Sequence, residues 1–151
     1  MIRRQSLFAL AAIPPALAVT GDTSLLLTAK ASGVQIYACD NSAWKLKAPE
    51  ATLADESGKP IGKHYGGPSW ELADGSLITG EVQAKDPGPN ATAIPWLLLK
   101  VASNNGKGRL AKATAIQRVE TEGGAAPAQS CQMGQEIRVP YSATYLFYGK
   151  G

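Results

Sequence analysis

The sequence has little with which to do metal or thiol chemistry: one histidine, His64, and two cysteines, Cys39 and Cys131, stand among 151 residues. One imidazole and two widely spaced thiols make neither a structural zinc tetrad nor a C-x-x-C redox pair. Charge is sparse, at 18% Asp, Glu, Lys and Arg, and nearly balanced, at a formal +3. That excess is too small for a nucleic-acid binder. The longest apolar run, Leu7 to Ile13, is seven residues, and a helix needs about 20 to cross a bilayer. Phosphate-binding spacings are absent too: no G-x-G-x-x-G leads into a helix and no Gly-Lys precedes Ser or Thr. The loop acids Asp55, Glu56 and Asp86 lack the EF-hand pattern for calcium. No cofactor and no metal site are expected.

Turn formers, by contrast, are plentiful. The 16 glycines and 10 prolines are about 17% of the chain, against a usual figure near 12%. That load argues against a helix bundle, and 44% apolar residues argue against disorder. From residue 23 onward, apolar runs of four to eight residues alternate with turn residues, which is the pattern of short strands. Leu25–Lys30 is one such run. In Val34–Cys39, Val34, Ile36 and Ala38 fall on one face and Gln35 and Tyr37 on the other. Trp44–Ala48 is expected to end at Pro49, and Ala51–Asp55 to form a separate strand. Ile61–Tyr65, Trp70–Leu72 and Leu77–Ala84 follow, with Asp74-Gly75 predicting a type I′ hairpin turn and Gly80 a bulge or a close approach. Ile94–Val101, with Trp96, Leu97, Leu98 and Leu99 in succession, lacks alternation, so both its faces should be covered. Ala113–Thr121, Glu136–Val139 and Thr144–Tyr148 complete a single all-β domain. It is predicted as an antiparallel β-sandwich or flattened β-barrel of about 9–11 strands with little helix.

The N-terminus reads as a targeting segment. Arg3-Arg4 precedes the apolar run, and Ala16-Leu17-Ala18 provides a small-x-small site before Val19. Residues 1–18 are therefore expected as a secretory signal and residues 19–151 as the mature domain, secreted or periplasmic. The paired arginines leave the export route, general or twin-arginine, open. Removal of residues 1–18 takes two Arg and no acid, leaving 13 Lys and Arg against 12 Asp and Glu. In an oxidising compartment an even pair of cysteines is most simply a disulfide. Cys39–Cys131 would close a loop of about 92 residues.

The segment from Gly62 to Ser76 concentrates the polar chemistry. His64 oriented by Glu71 or Asp74 is a candidate general base, with Ser69 or Ser76 as a nucleophile, although G-x-S-x-G spacing is missing. The plainer reading makes Asp74-Gly75 a turn, Trp70 a core residue and His64 a structural hydrogen-bonding group. Exposed Trp44 and Tyr65 on a β-scaffold offer surfaces for sugar stacking. Trp44, His64, Tyr65, Trp70 and Glu71 together form the candidate ligand set. Arg118 is expected to pair with an acid across a sheet.

Several phrases, taken in order, carry a family resemblance. They are Gly33-Val34-Gln35-Ile36-Tyr37-Ala38-Cys39, Gly62-Lys63-His64-Tyr65-Gly66-Gly67-Pro68-Ser69-Trp70-Glu71, Ile94-Pro95-Trp96-Leu97-Leu98-Leu99, Gln117-Arg118-Val119, Gly123-Gly124-Ala125-Ala126-Pro127 with Cys131, and Val139-Pro140-Tyr141-Ser142-Ala143. Together they resemble the domain-of-unknown-function family 3455, exported proteins of bacteria and fungi. The resemblance implies a secreted single domain with cysteines at these positions and a shared site around His64, Tyr65, Trp70 and Glu71. It implies no activity. The family's Val-Pro-Ala-Gly before the first strand is replaced here by Val19-Thr20-Gly21-Asp22.

The leading functional expectation is a non-catalytic binding module for an envelope or extracellular ligand, a carbohydrate or a protein, with no nucleic-acid partner. An exported hydrolase using His64 with Glu71 or Asp74, and a structural envelope protein, are the alternatives.

Overall fold

The computed structural model describes residues 13–150. Eight antiparallel strands follow one another round a closed barrel: β1 (Ser24–Asp40), β2 (Ala43–Ala54), β3 (Pro60–Tyr65), β4 (Ser69–Leu72), β5 (Leu77–Asp86), β6 (Trp96–Asn104), β7 (Ala113–Gly123) and β8 (Glu136–Gly149). The last strand returns to the first, with Ala31 opposite Ala143 and Gly33 opposite Tyr141. Closure pairs every strand on both sides, although short β3 and β4 leave part of β2 and of β5 with one neighbour only. Of the two architectures expected, the barrel is the one formed. Among the described residues, helix is confined to two 3-10 turns, Pro15–Leu17 and Gly108–Leu110.

The strand count falls to eight because long strands absorb pairs of short ones. β1 joins Leu25–Lys30 to Val34–Cys39 in one strand of 17 residues. β2 runs through Pro49 rather than ending there. The proline is tolerated because β3 pairs with β2 only from Ala51 onward, so at Pro49 the strand has β1 alone as a neighbour.

Inward side chains fill the barrel. Leu27 and Ala29 from β1, Leu53, Trp70, Ile78, Leu99, Ile116 and Phe147 belong to one buried cluster. Trp70 is its centre, edge-on to Tyr145 at 5.5 Å and to Phe147 at 6.1 Å between ring centroids. Gly80 makes room for it: a Cβ there would lie 3.0 Å from the indole. The register also shifts beside Gly80, so both features expected of this glycine are present.

The end of the barrel at the β4–β5 turn is closed. Leu110, in the second 3-10 turn, is fully buried. Asp74 accepts a hydrogen bond from the Arg109 backbone N–H at 2.9 Å, and Ser76 Oγ accepts one from Leu110 N–H at 3.1 Å. The turn is not the expected type I′. Gly75 alone takes a positive φ, of 99°, and its N–H donates to Leu72 O. That is a type I turn completed by one left-handed residue.

The outer wall carries a second cluster. Leu17 is fully buried against Trp96, Val119 and Leu146, with Ile13 and Leu98 packed at its margin. Gln117 Nε2 donates to Leu17 O at 2.7 Å. Residues 13–18, which the sequence reading assigns to the signal segment, thus form a strap across β6, β7 and β8. Residues 1–12 of that segment lie outside the described residues. The strap accounts for the unbroken apolar run of β6: Leu97 and Leu99 face the interior, while Trp96 and Leu98 face the strap.

Cys39 and Cys131 form the expected disulfide, with Cα atoms 5.8 Å apart. It ties the long loop between β7 and β8 to the end of β1. Tyr37 Oη donates to Gly124 O in the same loop.

Candidate functional site

In β3 and β4 the two-residue alternation of strands decides which side chains reach the interior. His64 pairs with Trp70, Lys63 with Glu71, and Tyr65 with Ser69. His64 and Trp70 point inward, 3% and 1% exposed, and stack at 4.5 Å between centroids. Tyr65 and Glu71 lie on the other face, where Tyr65 Oη donates to Glu71 Oε1 at 2.7 Å and the Lys63 ammonium lies over the Tyr65 ring. Trp44 is half-buried and opposite Cys39, beside the disulfide. The five candidate ligand residues therefore do not share a surface.

The candidate catalytic set does not converge either. Glu71 bonds to Tyr65 on the outer wall, and Asp74 sits in the turn at the closed end, holding the N–H groups of Ser76 and Arg109. Neither carboxylate bonds to His64, whose Nδ1 lies 2.7 Å from Ser69 O. A carbonyl only accepts, so Nδ1 carries the proton and Nε2 the lone pair. Ser69 Oγ donates to Gly66 O, and Ser76 Oγ is engaged by Leu110. The loop acids are likewise used in turns: Asp55 accepts from Ser57 and Lys59, and Asp86 from Gly88.

What His64 and Trp70 do share is a cavity of about 300 Å³ at the other end of the barrel, by the β3–β4 turn. Its lip carries exposed Leu46 and Val82, with Lys47 beside them. Leu97, Leu99 and Trp70 line its wall, and its polar lining includes Gln35, His64, Arg118 and Tyr145. This volume is at the lower end of small-molecule pockets.

Three polar groups stand out because burial normally demands partners. Gln35 is 3% exposed, and its Oε1 has no hydrogen bond among the described residues. Trp70 Nε1 is buried without an acceptor among the described residues. Arg118 is 9% exposed. Its Nε and Nη2 both donate to Pro95 O, at 3.0 and 2.8 Å. The cross-strand acid expected for Arg118 is not there. Arg118 shares its inward face with Ile116, whereas Glu120 and Glu122 are exposed. Every ion pair among the described residues lies on the exposed surface.

Gln35, Arg118 and Tyr145 were missed as a set because they come from β1, β7 and β8, brought together only by closure. Their one local signal is a polar residue inside an apolar strand. For Gln35 the two-residue period was legible, but which face is inside was not.

The surroundings hold the titratable groups neutral. Burial raises the phenols of Tyr145, Tyr141 and Tyr37 above their ordinary value, against the opposing pull of the Arg118 charge. Burial pushes His64 down to about 4; its bond to Ser69 O opposes the shift and the Arg118 charge adds to it.

Residues 20–149 match a family described as Protein of unknown function (DUF3455). The chain belongs to this family. No curated protein and no solved structure matches it. The DUF3455 phrase richest in polar residues, around His64, thus splits into an inward pair and an outward pair. Membership of this family implies no activity.

The His64 environment gives a signed pH dependence. The unfolded chain protonates His64 near its ordinary value of 6.5, whereas the folded chain resists protonation down to about 4. The stabilisation is fully present above 6.5 and lost as pH falls through that window, on the order of 3 kcal/mol in all. From urea denaturation between pH 7 and pH 4, the unfolding free energy of wild type should fall relative to that of His64→Gln by this amount. Parallel pH profiles would contradict the buried neutral imidazole.

Proposed function

We propose that this protein is an exported, non-catalytic binding module that holds a small ligand inside its barrel. One observation carries the reading: Gln35 Oε1 and Trp70 Nε1 are buried without a hydrogen-bond partner among the described residues, and the Arg118 guanidinium without an acid, beside a cavity open at one end. A buried donor or acceptor without a partner costs about 1–3 kcal/mol. A lumen lined this way is matched by a ligand that supplies the missing partners. Export is supported by the Arg-led apolar N-terminus and by a disulfide closing 92 residues. The outer-wall residues Trp44 and Tyr65 lie apart from this lining.

Ligand-observed NMR with a panel of mono- and bicyclic aromatic fragments tests the site. Fragments should bind wild type and Trp44→Ala alike and should fail with Val82→Trp, which obstructs the lip. Binding lost in Trp44→Ala and kept in Val82→Trp would move the site to the outer wall.

A further inference from the structure

Resting on the lumen-binding reading, we infer that the ligand is an organic monocarboxylate: an apolar body along Trp70, Leu97 and Leu99, and a carboxylate facing the Arg118 guanidinium.

The inference begins with charge. Arg118 is at least nine-tenths buried, and a guanidinium is a cation. Removing such a charge from water costs several kcal/mol unless a counter-charge or full hydrogen bonding repays it. Two of its donors share one carbonyl, Pro95 O, and no carboxylate lies within ion-pair distance among the described residues. The titratable groups around it are His64, Tyr37, Tyr141 and Tyr145. Each is neutral at working pH, so none supplies a negative charge. Lys47, the other cation in the lining, is paired with Glu136, so the lumen carries one positive charge without a carboxylate partner among the described residues.

The second strand is hydrogen bonding. Tyr145 lies in the lining, and its hydroxyl is 3.3 Å from that of Tyr141. A tyrosine hydroxyl both donates and accepts, as does the Gln35 amide. The Gln35 side chain lines the cavity, where its Nε2 is a donor for a carboxylate oxygen, whereas its unpaired Oε1 calls for a donor on the ligand's body. A guanidinium with amide and phenol donors nearby is the chemistry that recognises a planar carboxylate. The exposed apolar side chains of Leu46 and Val82 at the lip are the third strand. They suit an apolar body more than a free inorganic anion. The volume of about 300 Å³ restricts that body to a small ring system or a medium-length chain.

The test compares acids with their neutral amides by titration calorimetry: benzoate, 2-naphthoate and decanoate against benzamide, 2-naphthamide and decanamide. At least one acid should bind wild type about ten- to a hundredfold more tightly than its amide, the usual worth of a charge-assisted bond. Arg118→Met should abolish that preference, and Arg118→Lys should keep part of it. The comparison within wild type stands even where an Arg118 variant fails to fold. Equal binding of acids and amides would overturn the carboxylate assignment and leave the lumen reading intact. An acid preference that survives in folded Arg118→Met would overturn the role of Arg118. No binding by any probe to millimolar concentration would overturn both readings.

Discussion

Removing residues 1–18 rather than 1–12 is expected to lower the unfolding free energy by about 4 kcal/mol. Two losses contribute. Deleting the fully buried Leu17 uncovers Trp96, Val119 and Leu146; truncation of a buried leucine costs about 2–5 kcal/mol. Gln117, 2% exposed, also loses the Leu17 carbonyl that its amide bonds at 2.7 Å. Its Oε1 already has no partner among the described residues, so among them the whole side-chain amide would be left unpaired. Stranding such a group costs a further 1–3 kcal/mol or so, offset where water reaches the exposed wall. Urea denaturation of the two truncated chains reads the difference, and equal midpoints would refute the role of the strap. The same packing bears on processing. Cleavage after Ala18 removes a core residue, whereas cleavage on the N-terminal side of Ile13 keeps it. N-terminal sequencing of the natively expressed protein should find Leu17 retained. A stable product beginning at Val19 would show that the barrel does without it.

Replacing both cysteines with serine is expected to cost about 2–5 kcal/mol, the range for native disulfides that close long loops. Cys39–Cys131 spans 92 residues, where loop-closure entropy alone approaches the upper end of that range. The loss should also be local. Beyond the disulfide, the loop between β7 and β8 is held to the end of β1 by few bonds: Cys39 N–H to Gln135 O, Cys131 N–H to Ser42 O, and Tyr37 Oη to Gly124 O. Limited proteolysis of Cys39→Ser/Cys131→Ser should therefore cut first between residues 125 and 135. A variant as stable and as resistant as the oxidised wild type would show that the crosslink contributes nothing.

The two-residue alternation in Val34–Cys39 was legible, and the strand is there. What was not legible is that Gln35 and Tyr37 occupy buried positions on it. An alternating strand announces two faces, and only its neighbours decide which one is covered. The same gap explains Arg118. As a charged residue next to Glu120 and Glu122 it reads as a surface residue, yet its register with Ile116 sends it into the lumen. In the Gly62–Ser76 segment, proximity in sequence grouped His64, Glu71 and Asp74. The barrel then assigns them to the interior, the outer wall and the closed end.

By itself, the sequence determined the all-β class, the turns rich in glycine and proline, the pairing of the two cysteines and the family. These depend on local backbone preference, on counting, and on phrases that survive in order. Only the tertiary structure decided that the sheet closes with β8 on β1, that the strands number eight, and that residues 13–18 cover the outer wall. It alone gathered Gln35, His64, Trp70, Arg118 and Tyr145 round one cavity. The reason is physical: inside and outside are properties of a closed surface, and closure is made by pairing Ser24 with Gly149 at one end of β1 and Ala38 with Glu136 at the other, residues remote in sequence.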